Sequence, residues 1–262
     1  MSIATIDNQQ VHYEAIGHGE PMIFLHGWIG SWRYWWPTMQ VMSNRSRAFA
    51  LDFWGFGDSN KVPDRYFFGS YVEQLTHFIE YLGIARPVTL VGHSLGAAVA
   101  VRYAHLWPRR IKRLALVSPP LDGNGINHDL SSMEPVDFVN RYLYKFLEAP
   151  ELKHELQKSD PLAVNSVANQ LIGYDFSADF DKIERPVLVI YGDRDQVIVQ
   201  PTDGISSGIP DDRNHHHITL EVCDHFPMLE QPSKFNRLLL DFFRLEDAGE
   251  IAPRDQWQRR TR

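Results

Sequence analysis

Five residues, Gly92-His93-Ser94-Leu95-Gly96, have the types and spacing that could do chemistry. An apolar run, Pro87-Val88-Thr89-Leu90-Val91, precedes them, and the small residues Ala97-Ala98-Val99-Ala100 lead a helix-like stretch to Leu106. A glycine–X–serine–X–glycine sequence between a strand and a helix is the pattern of a nucleophile elbow, a sharp turn that stands the serine hydroxyl clear of the sheet. The positions two before and two after the serine are crowded in such a turn, so both favour a residue without a side chain. The helix that follows aims its unpaired N–H groups at the place where negative charge would develop. A serine hydroxyl is a poor nucleophile near neutral pH and needs an adjacent base. Histidine, with an unperturbed pKa of about 6.5, suits that task. The histidine needs a partner of its own to fix its tautomer and stabilise the imidazolium. Three further pieces bear on this chemistry: His26-Gly27-Trp28, Asp195 in Gly192-Asp193-Arg194-Asp195, and His225 in Asp224-His225-Phe226-Pro227.

The elements that must position these groups alternate along the chain. Residues 2–6 and 9–16, joined by Asp7-Asn8, read as a hairpin. The continuous apolar run 21–25 reads as a strand buried on both faces, 46–51 as another buried strand, 87–91, 111–117 and 186–191 as further strands, and 217–222 as the last. Helical spacing falls at 35–43, at 70–82 through Val72, Leu75, Phe78, Ile79 and Leu82, at 97–106 before Pro108, and at 234–243. Strand–helix alternation predicts a mostly parallel sheet with crossover helices on both faces. In such a sheet ligands bind outside the carboxyl ends of the strands, which is where His26, Ser94, Asp195 and His225 fall.

The alternation breaks between Ser118 and Ile183, where no strand is expected. Residues 135–147 and 160–171 have helical spacing there, the second opening on Asp160-Pro161. This predicts an α/β core over 1–118 and 183–246, a helical cap inserted over 119–182, and a charged tail over 247–262.

Composition excludes several classes. The chain has 262 residues, 44% of them apolar, enough for a large core. A net charge of −7 argues against a general electrostatic grip on nucleic acid or anionic membranes. The lone Cys223 excludes an internal disulfide. Residues 1–10 lack a basic stretch followed by an apolar core, and no apolar run approaches the roughly 20 residues of a membrane helix. A cytoplasmic protein without a membrane span is expected.

The motifs together resemble those of α/β-hydrolase-fold serine hydrolases, the esterase and cofactor-free haloperoxidase-like group, over residues 3–243. His26-Gly27 resembles the oxyanion turn, and Asp52 through Ser59 an aspartate-x-x-glycine-x-glycine-x-serine segment. Gly92 to Gly96 resembles the elbow, Gly192 to Asp195 the acid turn, and His225 through Glu230 the histidine turn. The chain order serine, acid, histidine is also that of the family. The resemblance implies an eight-stranded α/β-hydrolase sheet, Ser94 as nucleophile, His225 as base and Asp195 as acid. It also implies an oxyanion hole from the backbone N–H groups of Trp28 and Leu95. A serine elbow departs from the aspartate that dehalogenases and epoxide hydrolases of this family use. The implied activity is cleavage of a carboxylic ester or related acyl bond of a small, apolar substrate, with no cofactor and no metal. Thioester, lactone, diketone carbon–carbon and peracid chemistries stay open, as does a ligand-binding receptor on the same fold.

Rival residues carry plainer readings. Asp193 shares a turn with Asp195 and reads as a turn former; an acid between Ser118 and Asp122 is the other alternative. His26 reads as a support of the oxyanion turn, and His93 as a packing or hydrogen-bonding residue of the elbow. His215-His216-His217 would alternate across a strand and so not converge on one ion. Of the aromatic group Trp28, Trp32, Tyr34, Trp35, Trp36, Phe53, Trp54 and Phe56, Trp28 and those after Asp52 are candidates to line an acyl site. Phe138, Tyr142, Phe146 and Tyr174 are their counterparts in the cap.

Overall fold

The computed structural model describes residues 2–144, 150–200 and 214–244. Its centre is one eight-stranded sheet in the order β1-β2-β4-β3-β5-β6-β7-β8. The strands are β1 (Ser2–Ile6), β2 (Gln9–Ile16), β3 (Glu20–Leu25), β4 (Ser46–Leu51), β5 (Val88–His93), β6 (Ile111–Val117), β7 (Val187–Gly192) and β8 (His215–Leu220). β1 and β2 pair antiparallel, as do β2 and β4. Every later neighbour is parallel. The hairpin turns at Asp7 and Asn8, both with positive φ, as an aspartate–asparagine turn permits. The mostly parallel α/β sheet expected from the alternation is therefore present.

The parallel register brings the carboxyl ends into line. Leu25 pairs with Leu51 and with Gly92, His93 with Val117, and Val117 with Ile190. With Gly192 paired to Leu220, six chain segments consequently leave the sheet along one rim. The interior strands are buried on both faces, with all six residues of β5 and of β7 covered.

The covering helices are α1 (Trp36–Met42), α2 (Phe68–Tyr81), α3 (Leu95–Leu106) and, after β8, α9 (Pro227–Glu230) and α10 (Pro232–Arg244). α1 packs on α10, and α2 and α3 on each other. α3 is buried along most of its length, and its Ala97, Ala98, Ala100 and Ala104 let it lie close to β3, β5 and β6. α10 is one-sided instead: Phe235, Leu238, Leu239 and Phe242 recur on one face and are buried. Between β6 and β7 the chain forms α4 (Asp129–Ser132), α5 (Pro135–Tyr142), α6 (Pro150–Lys158), α7 (Pro161–Leu171) and α8 (Ser177–Phe180). Asp160 caps α7, its carboxylate accepting from the Leu162 N–H with Pro161 at the first turn.

Several expectations shift in position. The last strand runs 215–220, two residues earlier than 217–222, because Val222 has a φ of 55° and turns the chain toward His225. The helix expected over 35–43 divides into a 3-10 turn at Trp32–Trp35 and α1. α5 ends at Tyr142, short of 147; Phe146, Leu147 and the tail 247–262 lie outside the described residues. α6 has no counterpart in the apolar pattern, since its sequence PELKHELQK is mostly polar. Among the described residues no helix is long and apolar enough to cross a membrane.

Candidate active site

Ser94 joins β5 to α3 with φ 52° and ψ −114°, a strained conformation for a residue with a side chain. The crowding that excludes side chains at the flanking glycines has two sources. A Cβ on Gly92 would sit 2.4 Å from the Gly96 carbonyl oxygen, and one on Gly96 would sit 2.3 Å from that of Leu25, at the end of β3. The Ser94 N–H donates to the Val117 carbonyl at 2.9 Å, fixing the turn to β6. Its carbonyl accepts from the Ala97 and Ala98 N–H groups and starts α3. The Ser94 Oγ is buried and makes no hydrogen bond among the described residues.

Asp195 and His225 meet. The Asp195 Oδ2 lies 2.8 Å from the His225 Nδ1, so that nitrogen donates, and in the neutral ring Nε2 carries the lone pair. The other carboxylate oxygen accepts from the Val197 and Ile198 N–H groups at 2.8 and 3.0 Å. Burial alone would push the Asp195 carboxyl upward; the neighbouring His225 and these N–H donors outweigh it and hold the group below its ordinary value. His225 in turn sits on a clamped loop: the Glu230 carboxylate accepts from the Asp224 N–H at 2.8 Å and the Phe226 N–H at 3.0 Å. Its ring lies 4.6 Å, centroid to centroid, from that of His93, the residue before Ser94.

The rival acids are engaged elsewhere. Asp193 accepts from the Cys223 N–H at 3.1 Å, tying the turn after β7 to the turn after β8, and that bond holds its carboxyl low. Asp122 accepts from the Asn124 N–H and closes its own turn. Burial pushes the Cys223 thiol up to about 12, which leaves it protonated at neutral pH.

The turn after β3 packs directly on the elbow. A Cβ on Gly27 would come 2.8 Å from the His93 Nδ1 and 3.0 Å from the Ser94 Cβ. His26 is fully buried; its Nδ1 donates to the Gly27 carbonyl at 2.8 Å and its Nε2 accepts from the Phe53 N–H at 2.9 Å. Burial lowers its pKa, so it supports the turn as a neutral ring. Neither the Trp28 nor the Leu95 main-chain N–H donates a hydrogen bond among the described residues. Ile29, β-branched, holds φ 54° in this turn.

Asp52 at the end of β4 is a further organising residue. Its fully buried carboxylate accepts from the Trp32 N–H at 2.8 Å and the Asp58 N–H at 2.9 Å, and pairs with the His12 Nδ1 at 3.0 Å. The spacing from Asp52 to Ser59 signals the loop, and the Ser59 hydroxyl closes it on the Asp52 carbonyl. The His12 contact has no local signal, because it comes from the neighbouring strand. His12, Asp52 and Asp58 could approach one ion. Asp58, however, is paired with Arg33 at 3.0 Å and with Lys158. The three consecutive histidines diverge: His215 donates to the Ile183 carbonyl, the His216 ring faces Phe242, and the His217 ring faces Tyr191.

Most of the aromatic group is core. Phe53 and Phe56 pack on His26 and Tyr71, and Trp35 and Trp54 are fully buried. Trp28 is 5% exposed in the turn beside Ser94. In the inserted segment Phe138 packs on Tyr142, and Tyr174 on Phe176.

Residues 22–238 match the model of the alpha/beta hydrolase family. The chain belongs to that family. It is 27% identical to the non-heme chloroperoxidase CPO-A1 of Kitasatospora aureofaciens, over 91% of this chain and 97% of that one. It is 26% identical to the 2-hydroxy-6-oxo-2,4-heptadienoate hydrolase of Pseudomonas putida, over 88% of this chain and 92% of that one. Its fold is shared with a bromoperoxidase from Bacillus anthracis at a TM-score of 0.79 and 21% identity, covering 92% of this chain and 99% of that one. The α/β-hydrolase expectation, with hydrolases and haloperoxidases as relatives, therefore stands.

Proposed function

We propose that this α/β hydrolase cleaves a carboxylic ester or related acyl bond of a small, apolar substrate through an acyl-enzyme on Ser94. The observation that carries the reading is the 2.8 Å Asp195–His225 contact beside a strained serine elbow. The Ser94 Oγ attacks the carbonyl carbon and passes its proton to the His225 Nε2. The new oxyanion accepts from the Trp28 and Leu95 N–H groups. Collapse expels the alcohol, which takes the proton from His225. Water then attacks the acyl-enzyme with the same histidine as base, releasing the acid and restoring Ser94. Asp195 holds the tautomer and offsets the charge of the imidazolium. A serine–histidine hydrogen bond of this kind often tightens only when substrate is bound, which accommodates the unpaired Ser94 Oγ.

Residues 119–182 form the cap in this reading, on a core of 1–118 and 183–246. Its support is the way the insertion fastens to the acid turn. The Asn127 N–H donates to the Val197 carbonyl at 2.8 Å, its side chain to the Gln196 carbonyl at 2.9 Å, and Ile126 bridges Ile198. The substrate range extends to diketone carbon–carbon bonds, thioesters and lactones, and to peracid formation.

Hydrolysis of a series of p-nitrophenyl esters of rising acyl length tests the reading. Wild type should turn over the short esters, and Ser94→Ala should lose about 10³-fold or more. Ligand-induced stabilisation with no turnover of any ester, thioester or lactone would replace the enzyme by a receptor.

A further inference from the structure

Two buried side chains next to the reacting groups have no role in the steps above: Tyr34, in the 3-10 turn after β3, and His93, beside Ser94. A line of hydrogen bonds runs through both. The Gly27 N–H donates to the Tyr34 hydroxyl oxygen. That hydroxyl lies 3.0 Å from the His93 Nδ1, and the His93 Nε2 lies 2.8 Å from the His225 carbonyl oxygen. We propose that Tyr34 and His93 are positioning residues that lock the oxyanion turn, the elbow and the base loop into one register. The inference rests on the reading of Ser94 as nucleophile and His225 as base.

The polarity of the line has no freedom. It begins at an amide N–H, which can only donate, and ends at a carbonyl oxygen, which can only accept. The His93 Nε2 must therefore carry a proton. A neutral ring then has a bare Nδ1, which takes the Tyr34 proton, and the Tyr34 oxygen is left to accept from Gly27. Every donor and acceptor along the line is used once. A protonated His93 would turn a second N–H on the Tyr34 oxygen and leave the tyrosine proton without an acceptor. Burial pushes in the same direction and holds the His93 pKa well below its ordinary value. A histidine in ring contact with the base is thereby kept from competing for the serine proton.

The groups this line joins are the ones that chemistry must align. Gly27 precedes Trp28, whose N–H is the first oxyanion donor. His93 precedes Ser94. The accepting carbonyl belongs to His225 itself, 132 residues further along the chain. Packing holds the same line. Tyr34 is 4% exposed, and its ring meets those of His93 and Phe226 edge-on at 5.6 and 5.8 Å. A Cβ on Gly30 would strike the Tyr34 Cε1 at 2.5 Å. An apolar side chain at 34 would fill the space but leave the buried Gly27 N–H and His93 Nδ1 without this partner. The hydroxyl instead joins two segments that otherwise have no hydrogen bond through it, and a displacement of about 1 Å at such a site costs on the order of 10² in rate.

Tyr34→Phe removes the joint and little volume. With a short p-nitrophenyl ester, its kcat should fall about 10- to 100-fold with KM within about 3-fold of wild type. Tyr81→Phe is the control, since among the described residues the exposed Tyr81 hydroxyl reaches only the Ile3 carbonyl at 3.3 Å, and the change should leave kcat unchanged. His93→Gln, which keeps an N–H donor for the His225 carbonyl, should retain clearly more kcat than His93→Leu. Independently of turnover, ¹⁵N spectra of the wild type should show His93 neutral and protonated at Nε2 from pH 5 to 9. Wild-type kcat in Tyr34→Phe overturns the proposal, as does equal loss in the two His93 variants, or a His93 protonated at Nδ1. A wild type with no Ser94-dependent turnover removes the proposed function and this role with it. Turnover that Tyr34→Phe leaves intact removes the positioning role alone.

Discussion

At the residue scale the Asp195 carboxylate is organised by three donors: two backbone N–H groups on one oxygen and the His225 Nδ1 on the other. An amide would keep the shape and reverse part of this, because its NH₂ group cannot accept from the ring. Asp195→Asn should therefore leave the fold intact and lower kcat by about 10⁴-fold, through the wrong histidine tautomer. Steady-state kinetics together with a thermal melt check this. A loss under tenfold would show that Asp195 does not set the tautomer. Individual residues differ in how far sequence alone reveals them. Gly92 and Gly96 are legible because steric exclusion leaves only one residue type at each position. Asp193 and Asp195 are the same residue type on one turn, and only the Cys223 N–H against one and the His225 ring against the other separate their roles. Tyr34 and His93 read as packing residues until the partners of both are seen in three dimensions.

Elements are legible in proportion to their apolar content. β3, β5 and β7 are mostly apolar and buried, and β4 and β6 are apolar over their carboxyl halves, so the strand ends that would carry the proposed site are legible. β8 is shifted because two of its first three residues are partly exposed histidines, which dilute the apolar signal. The contact of β2 with the Asp52 loop lies beyond any local pattern. It also carries a pH dependence. Burial would lower the His12 pKa, but the Asp52 carboxylate at 3.0 Å more than offsets it, and the pKa is raised above 6.5. A raised folded-state pKa contributes stability that is fully present below the unfolded value and lost as pH rises through the folded one. The stability difference between wild type and His12→Gln should thus be largest near pH 6 and shrink toward pH 9. Chemical denaturation across that range measures it. A difference that grows with pH would contradict the pairing.

Across the whole molecule, α6 is held to the core by a charge cluster together with Leu156, and its mostly polar sequence is why the apolar pattern omits it. Arg33, in the 3-10 turn after β3, pairs with the Glu155 carboxylate of α6 at 2.9 Å and with Asp58 at 3.0 Å. Lys158 pairs with Asp58 and lies 3.7 Å from Glu155. The Glu155 side chain is 1% exposed, so removing its partner strands a buried charge. Breaking a pair of this kind costs about 3–5 kcal/mol, and the remaining Lys158 places this one at the lower end. Arg33→Met should lose about 3 kcal/mol in chemical denaturation. A loss below about 0.5 kcal/mol would show that the cluster is screened as a surface pair would be.

The central claim is that Ser94 is an activated nucleophile served by His225. A fluorophosphonate reacts only with such a serine, so intact-protein and peptide mass spectrometry of the labelled chain tests it most directly. One adduct is expected, on Ser94, with a rate of formation that falls as pH drops from 9 to 5 and collapses in His225→Ala. Absence of an adduct on Ser94, or labelling indifferent to both pH and His225, would contradict it.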